Sequence, residues 1–476
     1  MIMRKNIILL LLMLLPLVAI AEKSVSSNDY SIQIDIPTLK NEKVFFGSYV
    51  MGKPYSNDSI LLDNKGKGVI KGNEKLTEGL FLVYFTNGKY VDFLIGNDQH
   101  VTIKGDTLNL PSNIHVGGAK QSTDFFHYMR FLLDIQTQYA EKNASKKEAR
   151  DETVKQRLDE EMTQLGASLV DKQNSLLATY PKGMVSVFLN GLKVPEAPDF
   201  TVADTEQNPD SVKQMLRYLF YKDHYFDNVD FADPRIYNTP YLPSSLETYL
   251  NRVLIQHPDS IIPSVVALVE RSKGNAKTFQ MMTSFMLNYG VKNNMMGMDK
   301  LMVELGNRYY LSGQATWADS TLVASLRKEI KKIETSLVGM QASNMYLANA
   351  KGEYTDLYSM CGEQLTILYF FEPDCGHCKK TTPLVRDFIE KYKDDNRIKV
   401  VAVYLLLDKE EWSKFIDTYQ LQAFANVWDP QRVSRFWEQY DTSTTPMIYV
   451  LDKDKKIMAK KIDVETLEMI AKYELK

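Results

Sequence analysis

The chain has 476 residues, 44% hydrophobic and 25% charged, with 57 Lys and Arg against 60 Asp and Glu. This is ordinary globular composition without the basic excess that neutralises phosphates, so nucleic acid is not an expected partner. The three cysteines, Cys361, Cys375 and Cys378, lie in one short stretch; a disulfide-stapled scaffold would spread them in pairs, so their clustering points to chemistry.

The first residues run from Arg4 and Lys5 through an apolar stretch, 7–20, into Ala19-Ile20-Ala21. Charged, then apolar, then small is the order of a cleavable signal peptide. Residues 1–21 are therefore expected to be removed and the protein to work in the periplasm or cell envelope. The apolar run falls short of the ~20 residues of a membrane span. Glu22 follows with no cysteine near it, so a lipid anchor is not expected. The remainder is long enough for about three domains.

Residues 22–118 read as an antiparallel β domain, a small sandwich. Short β-type runs at 31–36, 44–50, 59–62, 79–85, 90–95 and 100–103 alternate with turn signals such as Asp63-Asn64-Lys65-Gly66, Asn87-Gly88 and Gly105-Asp106. Residues 119–336 read as an all-α domain. The stretch 125–179 is rich in Leu, Met, Lys, Glu and Gln and has no proline. After a loop carrying Pro195, Pro198 and Pro209, helical patterning resumes at 212–226 and 246–333. A methionine-rich run, 281–302, is expected to pack the core rather than to form an adaptable peptide-binding surface. Residues 337–476 read as a three-layer α/β domain. It has a strand at 365–371, a helix starting at the cysteines, a strand at 398–407, helices at 409–419 and 431–440, strands at 447–451 and 456–462, and a closing helix at 464–473. The expected fold class is thus multidomain: amino-terminal antiparallel β, central all-α, carboxy-terminal α/β.

The run Leu365-Thr366-Ile367-Leu368-Tyr369-Phe370-Phe371 is nearly continuous in apolar residues, as in a central strand covered on both faces. It breaks at Glu372-Pro373-Asp374, and a helix follows whose inward stripe is read as Leu384, Val385, Phe388, Ile389 and Tyr392. Cys375 therefore stands at a helix amino terminus, where free amides and the helix dipole favour an anion and lower the thiol pKa. His377 adds a positive charge or a hydrogen bond, whereas Glu372 and Asp374 bring negative charge close, so the net direction is open. Cys378, one turn on, is expected to be buried and less acidic, which makes Cys375 the attacking thiol and Cys378 the resolving one. A structural zinc site would need four ligands and the chain has no second cysteine pair; an inert disulfide is the other alternative. Neither a metal nor a cofactor is expected.

Cys375-Gly376-His377-Cys378 at a helix start, Lys379 directly after it, Pro383 five residues beyond Cys378, and Thr445-Pro446 ahead of Met447-Ile448-Tyr449-Val450 together resemble the thioredoxin family. Residues 337–342 and 349–353 resemble the lead-in to the first catalytic strand of its TlpA-type periplasmic members. The resemblance implies a thioredoxin fold, a cis peptide at Pro446, and a loop at Thr445 and Pro446 that lies against the cysteines and pairs with substrate backbone. It also implies thiol-disulfide exchange with disulfide-containing proteins and a membrane or periplasmic redox partner. Asp374 stands where the family usually has Trp, and Gly376-His377 is the dipeptide of protein disulfide isomerase. Tyr369 replaces the family's buried acid and Thr381 replaces a glutamate found in some members, which leaves Glu372 as the candidate proton acceptor for Cys378. Cys361 is read as a half-buried free thiol. The competing reading is an envelope binding protein whose amino-terminal domains recognise a partner while the thioredoxin-fold module is accessory.

Overall fold

The computed structural model describes residues 29–476 except 111, 204–206 and 393. The expected signal peptide, residues 1–21, lies outside the described residues. No helix among the described residues is long and apolar enough to cross a membrane. The chain divides into two units, one of residues up to 193 with 235–243, the other of 194–234 with 244–476.

In the first unit, alternating apolar residues build eight strands: β1 (Tyr30–Asp35), β2 (Lys43–Val50), β3 (Lys53–Leu61), β4 (Lys67–Gly72), β5 (Gly79–Phe85), β6 (Tyr90–Ile95), β7 (His100–Gly105) and β8 (Ile114–Gly118). They form two four-stranded sheets, β4-β1-β7-β8 and β3-β2-β5-β6. Ile34, Phe46, Phe81, Phe93 and Ile103 meet in one core between the sheets, the sandwich that the alternation implies. β1 pairs with β7 in parallel, a pairing that local pattern does not encode. β4 and β8 escape sequence reading because each offers only two apolar residues among glycines and polar groups.

Helices α1 (Lys120–Glu148), α2 (Glu152–Thr179) and α3 (Met184–Gly191) follow; the first break falls at Asp151, whose carboxylate accepts from the Thr153 amide as an N-cap. The stretch read as one helical domain over 119–336 is divided after α3. β5 and β6 carry apolar residues on both faces, and Leu80 and Leu94 pack with Phe125 and Tyr128 of α1 and Val185 and Phe188 of α3. An apolar outer face must be covered, and these helices cover it.

The second unit contains α4 (Pro209–His224), most of α5 (Leu242–Thr248), α6 (Pro258–Arg271), α7 (Ala276–Lys292), α8 (Asp299–Leu305) and α9 (Ser320–Ile333). Met282, Met286 and Met298 are fully buried, so the methionine-rich run does furnish core. The chain continues through β9 (Tyr346–Ala348), β10 (Tyr354–Asp356), β11 (Leu365–Phe371), α10 (Gly376–Glu390), β12 (Ile398–Tyr404), α11 (Lys409–Tyr419), β13 (Ala425–Trp428), β14 (Met447–Leu451), β15 (Ile457–Lys460) and α12 (Val464–Glu474). The sheet order is β10-β9-β13-β12-β11-β14-β15, with β11 parallel to β12 and antiparallel to β14. Every side chain of β11 is buried. Ile367, Tyr369 and Phe371 face α10 and α11, while Leu368 and Phe370 face Phe436 and Tyr440.

Two local expectations are corrected. The helix expected at 431–440 is only a 3-10 turn, Phe436–Glu438. Arg432 and Arg435 take left-handed backbone angles, and the Asp429 carboxylate accepts from the Val433 and Ser434 amides that a helix would use. Leu384 is 55% exposed; the buried stripe of α10 is Val385, Phe388 and Ile389 with Tyr392 beyond, and Leu384 lies one step of about 100° off it.

Candidate active site

β11 delivers the chain to Glu372-Pro373-Asp374, where the Cys375 amide donates to the Glu372 carbonyl at 3.3 Å. Cys375 keeps extended backbone angles, and α10 begins at the next residue. Its sulfur stands where an N-cap oxygen would, accepting the Cys378 amide at 3.4 Å. The Cys375 thiol also donates to the Thr445 carbonyl oxygen at 3.2 Å, which brings the loop before β14 onto the sulfur from seventy positions away. The Thr445–Pro446 peptide is cis, as the resemblance implies, and Pro383 lies inside α10.

The two thiols have opposite environments. Burial pushes the Cys375 thiol up, but its interactions with Thr445, with the backbone and thiol of Cys378 and with the His377 backbone outweigh it and bring the pKa below the ordinary thiol value. The direction that local charge leaves open is thus decided by hydrogen bonds to sulfur. Cys378 has no exposed surface, and burial pushes its thiol up to about 12, with its neighbour Cys375 adding to the shift and the Glu372 backbone opposing it. Both stand as free thiols.

His377 is exposed on the first turn of α10. The Glu372 carboxyl is half-buried, and burial followed by the charge of Asp374 raises its pKa. Cys361 packs on the opposite face of the sheet from Cys375 and Cys378, donating to the Leu357 carbonyl at 3.4 Å. Among the described residues no cluster of three His, Cys, Asp or Glu side chains could hold a metal ion.

One partner escaped sequence reading. The Tyr369 hydroxyl, fully buried, is 2.7 Å from the Thr382 hydroxyl, and burial first, then the two thiols, raises the phenol pKa. The neutral hydroxyl pair therefore takes the position where a carboxylate was sought, and Thr382 rather than Thr381 completes it. The α10 burial pattern was the available signal, since Thr382 lies on the same face as Cys378, four residues earlier.

Comparison with known proteins agrees with this geometry. Residues 362–457 match a family model described as thioredoxin-like. The carboxy-terminal domain is thioredoxin-like. Residues 194–334 match a domain of unknown function, DUF5106. The thiol-disulfide oxidoreductases ResA of Bacillus cereus and Bacillus anthracis are 24% identical over 144 residues, covering 29% of this chain and 78% of theirs. The thioredoxin-like domain is accordingly of the kind found in thiol-disulfide oxidoreductases. Among solved structures, a thioredoxin-like protein from Bacteroides caccae aligns with 59% of this chain and 98% of its own at 18% identity and TM-score 0.46. A domain of a possible thiol-disulfide isomerase from Cytophaga hutchinsonii aligns with 29% and 94% at 37% identity and TM-score 0.27.

Proposed function

We propose that this protein is an exported thiol-disulfide oxidoreductase that exchanges disulfides of protein substrates through Cys375 and Cys378. The observation that carries the reading is the split between the two thiols: one capping a helix with its pKa lowered, the other sealed beneath it with its pKa raised. The Cys375 thiolate attacks one sulfur of a substrate disulfide; a mixed disulfide forms, and the other substrate sulfur leaves as a thiolate and takes a proton from solvent. Cys378 then loses its proton to Glu372, whose raised pKa suits a proton acceptor. The Cys378 sulfur attacks Cys375, the mixed disulfide breaks, and the substrate leaves with both sulfurs reduced. The protein is left with a Cys375–Cys378 disulfide, which a redox partner in the envelope must reduce; run backwards, the same steps oxidise a dithiol substrate. Export rests on the leader pattern of residues 1–21.

Insulin reduction by the protein lacking residues 1–21, with dithiothreitol as electron donor and the uncatalysed rate subtracted, tests the reading. Cys375→Ser should lower turnover by at least ~1000-fold, the scale on which loss of a nucleophile acts. Equal rates in wild type and variant, with both folded by circular dichroism, would exclude it.

A further inference from the structure

The loop that touches Cys375 is itself held at its base. Asp441 opens it and is buried. Its Oδ1 accepts from the Ser443 hydroxyl and amide, and its Oδ2 pairs with Lys461 Nζ at 2.8 Å. Its amide donates to the Tyr449 hydroxyl at 2.9 Å, and that hydroxyl donates to the Asp441 carbonyl at 3.2 Å. Four residues further on, the Thr445 carbonyl accepts the Cys375 thiol. Burial works against the Asp441 charge, yet Lys461 and Ser443 hold its carboxyl below the ordinary carboxylate range. The anchor is therefore ionised at neutral pH and keeps its grip on both partners.

This anchor is joined to the helical part of the same unit. The Lys460 side chain is only 2% exposed and is paired with Asp299 at the first residue of α8. Successive strand residues ordinarily face opposite ways. Here the left-handed backbone of Lys461 (φ 57°) ends β15, and both lysines line one cavity of about 740 Å³. Asp299, Met302 and Lys332 form its helical side, Asp441 and Ser443 its loop side. The Tyr449 hydroxyl also lies 3.4 Å from the Ser336 hydroxyl, just beyond α9. Burying two charges is unfavourable unless they are paired, and a well-packed apolar pair would serve stability as well, so the ion pair is better explained by the register it imposes.

We propose that Asp441 is a positioning residue for the nucleophile. With Ser443 and Lys461 it fixes the loop that sets Thr445 against Cys375, and the Asp299–Lys460 pair braces that loop from the helical segment. This gives the helical segment a part in the chemistry: it determines how firmly the loop presses on the sulfur. The inference rests on Cys375 being the reactive thiol, and it requires no particular substrate.

The test is the pH profile of Cys375 alkylation by iodoacetamide, in the full chain lacking residues 1–21, read beside insulin reduction. Asp441→Asn should displace the alkylation midpoint from its wild-type position and lower kcat/KM by about tenfold or more, as expected when a reacting group loses its alignment. Asp299→Asn should move both in the same direction by less. Lys391→Met, which removes an exposed ion pair with Glu468 on the helical layer, should leave both unchanged. A folded Asp441→Asn with the wild-type alkylation profile would overturn the proposal. If that variant fails to fold, Ser443→Ala takes its place: it keeps the ion pair and removes one strut, so a profile identical to wild type would overturn the proposal equally. Alkylation needs only a thiolate, so the profile remains readable if insulin is not reduced; that outcome would defeat the proposed function and leave the positioning role to be decided by the profile.

Discussion

β5 and β11 are near twins. Each is a seven-residue apolar strand, Gly79–Phe85 and Leu365–Phe371, packed on both faces. What differs is the turn that follows. β5 enters the hairpin Thr86-Asn87-Gly88, where the Gly88 amide donates to the Phe85 carbonyl, the Lys89 carbonyl accepts the Phe85 amide, and the Lys89 amide is taken by the Asn87 side chain. β11 enters the start of α10, where helical geometry leaves the first amides without carbonyl partners. Cys375 occupies that end and one amide reaches its sulfur. A buried strand is thus a platform only; reactivity comes from delivering a thiol to unspent backbone donors.

The largest consequence is a kinetic split within the helix. Thiolate is the deprotonated form, so alkylation rises as pH climbs through each thiol's own pKa. With Cys375 below the ordinary thiol value of ~8.5 and Cys378 at about 12, their thiolate populations at neutral pH should differ by at least ~1000-fold. Of the two helix thiols, mass spectrometry after brief alkylation should find label on Cys375 and not on Cys378 until the pH is strongly alkaline. Equal labelling of both cysteines in the folded protein would remove the contrast with the inert strand.

On the β5 side only stability should respond. Phe81→Ala, deep between the two sheets, should destabilise the first unit by about 3–5 kcal/mol in urea unfolding. The Cys375 alkylation profile should not move. A smaller effect is expected where β11 departs from its twin by carrying a buried hydroxyl. Thr382→Val keeps the shape but leaves the Tyr369 hydroxyl without its partner, at a loss of about 1–3 kcal/mol in stability. A neutral result there would mean that Tyr369 finds another acceptor beside the thiols.

How much of this could be read beforehand depended on sequence distance. β5, β11 and β14 follow from unbroken apolar runs, and the start of α10 follows from the break at Glu372-Pro373-Asp374. β4 and β8 did not, because their few apolar residues acquire meaning only beside β1 and β7. The helix expected at 431–440 failed because the Asp429 side chain captures the amides, a competition that apolar periodicity does not register. Thr445 and Pro446 follow from the family resemblance and Glu372 from the chain's departure from it at Tyr369 and Thr381, whereas Thr382, Asp441 and Lys461 follow from neither.

By itself, the sequence determined what rests on neighbours within a helical turn: a thiol at a helix start, a second thiol one turn deeper, and the asymmetry between them. Only the tertiary structure decided what touches the first thiol. The Thr445 carbonyl arrives because β14 pairs antiparallel with β11, and the anchor at Asp441 forms because β15 brings Lys461 to it. Such contacts depend on strand register between segments far apart in the chain, which apolar periodicity constrains only as to face, never as to partner.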